Sequence, residues 1–71
     1  MKKLPENIRE IYTDAYRLHE TFHGMENNLQ NWTDVAVACD DVCRKHGNHP
    51  LMIALAAAVH EQVEREVNGS T

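Results

Sequence analysis

Two histidines, His19 and His23, stand four residues apart, and two cysteines, Cys39 and Cys43, repeat that interval further along the chain. On a helix a spacing of four sets both side chains on one face. A histidine pair from one helix and a cysteine pair from another can therefore supply two nitrogens and two sulfurs, the donor set of a tetrahedral zinc site. His46, one turn beyond Cys43, and His49 are further donors. Two considerations oppose this reading. Both cysteines fall on an apolar helical stripe, where a free thiol behaves as a small buried hydrophobe. The short cysteine knuckles of structural zinc sites are also missing. The sequence favours packed thiols and no cofactor, with zinc held among His19, His23, Cys39, Cys43 and His46 as the alternative.

Cys43 with His46 is also the local candidate for a nucleophile and its base. Nothing resembles a strained nucleophile turn, an oxyanion loop or a phosphate-cradling glycine run, so no catalytic residue is assigned and no enzyme activity is expected. The crowding of Cys43, His46 and His49 around Gly47 and Pro50 has a backbone explanation instead. Gly47 can take the left-handed conformation that closes a helix, Asn48 or His49 can cap the next, and Pro50 suits only a first turn. This is a corner between helices.

Three segments carry helical periodicity and none alternates with period two. The spacing predicts a first helix over about 5–23, with Ile8, Ile11, Tyr12, Ala15, Leu18 and Phe22 on one stripe. Asn31 followed by Asp34 reads as the start of a second, over 32–46, with a stripe of Trp32, Val35, Ala36, Cys39, Val42, Cys43 and His46. Asp40 with Arg44 and Asp41 with Lys45 are opposite charges four apart, as are Glu61 and Arg65. A third helix follows over 50–67, and the polar tail 68–71 is expected to fray. The lengths match well enough for an all-α, three-helix up-down-up bundle in a single domain.

The third helix is unusual. Met52, Leu55, Ala56, Val59 and Val63 form one apolar face, yet Leu51, Ile53, Ala54, Ala57 and Ala58 extend apolar character around the rod. A helix apolar on most sides is normally buried on more than one. The expectation is a homodimer formed through this helix, with Leu51, Ile53, Ala54, Ala57 and His60 at the interface. Tyr16, one position off its own stripe, is the exposed aromatic best suited to a further protein partner.

Composition sets the remaining bounds. The chain has 71 residues, of which 42% are hydrophobic and 25% charged, near the lower size at which one apolar core suffices. Residues 1–25 balance four basic against four acidic side chains, so the formal charge of −4 lies wholly in the remainder. No basic stripe marks a nucleic-acid binder. Protonation of all five histidines would carry the charge from −4 to +1, so association is expected to weaken in mild acid. Pro5, Glu6 and Asn7 interrupt the apolar run that a signal peptide needs after Lys2 and Lys3. Leu51 to Val59 is shorter than the ~20 residues of a membrane span. The reading is a cytoplasmic helical interaction module, with a zinc-binding or redox-responsive protein, or an acidic inhibitor of a basic surface, as alternatives.

Overall fold

A computed structural model describes residues 2–69 as three α-helices, α1 (Glu6–Phe22), α2 (Leu29–Lys45) and α3 (Pro50–Val67), with no strand among the described residues. The third helix is the hub: it packs most extensively on α1, then on α2, while α1 and α2 meet least. The carboxyl ends of α1 and α3 lie together, since His19 and His23 both reach Glu66. The molecule is elongated, 40 × 25 × 16 Å. Its radius of gyration is 12.8 Å, where a compact chain of this length is expected near 11 Å.

The core is small and draws on every helix. Ile11, Ala15 and Leu18 come from α1, Val35 from α2, and Met52, Ala56 and Val63 from α3. Cys39, Val42, Cys43, Leu55 and Val59 pack half-buried around it. Two stripe assignments differ from expectation. Tyr12 is 49% exposed and Ala36 is exposed, because α1 and α2 pack mainly on α3 and little on each other, and so bury a stripe narrower than their apolar arc. Removing the side chain of Met52, which is fully enclosed, is expected to cost about 2–5 kcal/mol.

The helix ends have local causes. Pro5 stands just before α1 as its cap rather than at the first helical position, and its carbonyl accepts from the amides of Ile8 and Arg9 at 3.1 and 3.0 Å. The second helix begins three residues before the expected start. Asn28, not Asn31, is its cap, and the Asn28 side chain accepts from the Asn31 amide at 2.8 Å. Apolar periodicity missed that first turn because Leu29, its one large apolar residue, is 83% exposed. At the second corner Gly47 and Asn48 both have positive φ, 62° and 58°. His49 then caps α3, its Nδ1 accepting from the Leu51 amide at 3.1 Å, and Pro50 occupies the first turn. Asn68 and Gly69 close α3 through bonds to Glu64 and Glu66 carbonyls; the rest of the tail, 70–71, lies outside the described residues.

The expected surface pairs are only partly made. Asp40 and Arg44 pair at 3.0 Å. Lys45 leaves Asp41 and crosses to Asp14 on α1 at 2.9 Å, while Glu61 and Arg65 form no ion pair among the described residues. A carboxylate on a neighbouring helix that is mostly shielded from water holds a lysine better than an exposed one on its own helix.

Candidate metal-ligating cluster

The last turn of α1 and the last turn of α3 bring three side chains to one point. His19 Nε2 lies 3.0 Å from Glu66 Oε2, and His23 Nδ1 lies 3.0 Å from Glu66 Oε1. Gln62, one turn before Glu66, donates its amide to Oε2 at 3.2 Å and fixes the carboxylate. The imidazoles meet edge to face, with centroids 5.9 Å apart and planes at 78°. One nitrogen from each histidine and a Glu66 oxygen all lie within 4.8 Å of one another.

The backbone explains the convergence. His19 sits inside the helix, whereas His23 is the residue that caps it, its own amide bonding to the His19 carbonyl at 2.8 Å. Gly24, at φ 75°, then turns the chain away. The cluster therefore lies at the carboxyl ends of two helices, where the partial negative charge of the helix dipoles favours a cation. The bond from His23, against a smaller opposing effect of burial and with help from His19 and Gln62, holds the Glu66 carboxyl at about 2, well below its usual 4.5. The cluster opens on a groove of ≈ 400 Å³ lined by Tyr16, His19, Glu20, His23 and Glu66. Exposure rises from 18% at the Glu66 side chain through 35% at His19 to 68% at His23.

The other proposed donors go elsewhere. Cys39 and Cys43 are free thiols on the inner side of α2. The Cys39 thiol donates weakly to the Ala56 carbonyl at 4.0 Å. Burial, reinforced by neighbouring Cys43, pushes its pKa above the usual thiol range, which disfavours the thiolate that metal or nucleophilic chemistry requires. His46 turns from Cys43 to Asp14, Nε2 to Oδ2 at 2.7 Å. Burial works to raise the Asp14 pKa, but the bonds from Lys45 and His46 outweigh it and hold the carboxyl below its ordinary value. His49 is engaged as a cap. His19 and His23 are thus brought together with Glu66, and not with the cysteines.

Sequence reasoning missed two residues here. Glu66 has no local signal, being 47 positions from His19 and 43 from His23. Glu20 did have one: residues 19–23 read His-Glu-Thr-Phe-His. That order, histidines one turn apart with an acid after the first, is the string in which two histidines hold zinc and the acid acts on metal-bound water.

Of the residues expected at an interface, four lie on the exposed side of α3, and Leu51 does not: it turns inward and packs against the core. Ile53 is 48% exposed, Ala54, Ala57 and His60 are exposed, and Leu51 is half-buried. The His60 imidazole stands edge-on to Trp32, centroids 5.8 Å apart. No helix among the described residues is long and apolar enough to cross a membrane. Comparison with protein-family models, curated proteins and solved structures returned no match.

Proposed function

We propose that the chain is a small helical protein-binding module that self-associates as a twofold dimer through the outer face of α3. The observation that carries this reading is surface area. A folded monomer of 8.1 kDa is expected to expose about 4500 Å², so the 5191 Å² that this chain exposes is about 700 Å² in excess. A stable interface removes about 800 Å² from each partner.

The chemistry of the face suits a second copy. Ile53 offers a branched apolar knob, and Ala54 and Ala57 let a facing backbone approach. A face crossed on itself by a twofold axis meets the same residues in its mate. His60, held by Trp32, borders it with a polar edge.

Light scattering coupled to size exclusion tests the reading. The expected mass is about twice 8.1 kDa, and Ile53→Glu is expected to halve it with the helical circular dichroism unchanged, because a charge at an interface centre is left desolvated and unpaired. A wild-type mass of one chain at every concentration up to the millimolar range would reject self-association.

A further inference from the structure

We propose that His19, His23 and Glu66 form a binding site for one divalent transition-metal ion of the zinc class, with its remaining coordination open to the groove beside Glu20. Four observations converge on it. The donor set is two imidazole nitrogens and one carboxylate, which suits zinc and its transition-metal neighbours and disfavours magnesium and calcium, ions that take oxygen donors. The histidines are one helical turn apart and present Nε2 and Nδ1 to the same carboxylate at 3.0 Å each. Donors around a tetrahedral zinc ion are about 3.3 Å apart. Side chains already within 4.8 Å of one another need only small rotamer adjustments to close on it.

The surroundings favour positive charge. The cluster sits at the carboxyl ends of two helices, and no lysine or arginine among the described residues pairs with Glu66. In the absence of metal, imidazole N–H groups donate to the carboxylate. An arriving ion takes the place of those protons, with the ring protons held on the opposite nitrogens, His19 Nδ1 and His23 Nε2. Gln62 keeps the Glu66 carboxylate oriented, the part that outer-shell amides play around metal-ligating groups. Because three protein donors leave one or more positions for water, the arrangement is of the open type. His23, at 68% exposure, gives the ion a path from solvent.

The experiment uses the full chain, stripped with chelator and titrated with zinc chloride by calorimetry and with cobalt(II) chloride by visible absorption. The expected result is one ion per chain, cobalt ligand-field bands without sulfur-to-metal charge transfer, and no response to magnesium. His19→Ala and Glu66→Gln are each expected to weaken zinc binding about tenfold or more. Glu66→Gln keeps a partner for both imidazoles and guards against a loss that reflects only misfolding; circular dichroism checks it. Cys39→Ala combined with Cys43→Ala is expected to leave affinity within twofold. No zinc binding, binding undiminished in folded Glu66→Gln, or thiolate charge transfer that disappears with the cysteines would each overturn the proposal.

Discussion

Helix α1 carries two histidine–carboxylate clusters, and they differ in almost everything except their chemistry. Asp14 faces α2, where His46 and Lys45 reach it at 2.7 and 2.9 Å. Its side chain is 11% exposed and that of His46 8%, so the pair is the more shielded of the two clusters and a lysine supplies permanent positive charge. Glu66 meets two imidazoles at 3.0 Å with the outer one 68% exposed, so its positive charge depends on protons or on an ion. The lesson is that a more shielded cluster with a fixed countercharge ties helices together, while a more open cluster without one keeps its donors available.

The largest effect should come from breaking the more shielded tie. Asp14→Ala leaves His46 enclosed without its partner and is expected to cost about 2–3 kcal/mol, a fall in melting temperature of about 10 °C or more; a loss below about 0.5 kcal/mol would remove the distinction between the clusters. The Asp14 pKa is depressed, so its contribution is present above the unfolded value of 3.8 and is lost as pH falls through the lower folded value. Urea melts of wild type and Asp14→Asn should accordingly converge in strong acid. Next comes Cys39→Ala with Cys43→Ala, which belongs to neither cluster and should cost about 1–2 kcal/mol in lost packing. Collapse of the helical signal in that variant would mean that the thiols do more than fill space. Lys45→Ala removes only the exposed arm of the Asp14 cluster, since its side chain is 61% exposed, and should cost less than about 1 kcal/mol.

The sequence made the tie and the helices unequally legible. Three helices, the Gly47–Pro50 corner and the α3 core face of Met52, Leu55, Ala56, Val59 and Val63 follow from periodicity and from residues with restricted backbones. The start of α2 did not, because its first turn buries nothing and Asn28 and Asn31 are chemically equivalent caps. Long-range polar partners were the least legible. Pairing His46 with Asp14 requires knowing that α2 ends beside the middle of α1, and pairing His19 with Glu66 requires knowing that two helix ends meet. Spacing along one helix identifies which side chains share a face, but says nothing about what stands opposite. That is why the histidine pair was visible and its third member was not, and why the cysteine pair was a plausible companion until packing turned it inward.

The smallest effect on metal-free stability should come from Glu66→Gln, and its pH dependence separates the two clusters best. The Glu66 carboxyl is held at about 2 instead of 4.5, so the carboxylate stabilises the fold above pH 4.5 and that contribution fades as pH falls toward 2. Above that window wild type should melt slightly higher than Glu66→Gln, and below it the two should coincide. Salt gives the second axis. The Glu66 cluster is open to water, so half-molar sodium chloride should shrink its wild-type advantage, whereas the Asp14 contrast, shielded from solvent, should persist. Equal salt sensitivity of the two contrasts would show that burial does not distinguish the clusters, and the division of roles drawn from their exposure would have to be abandoned.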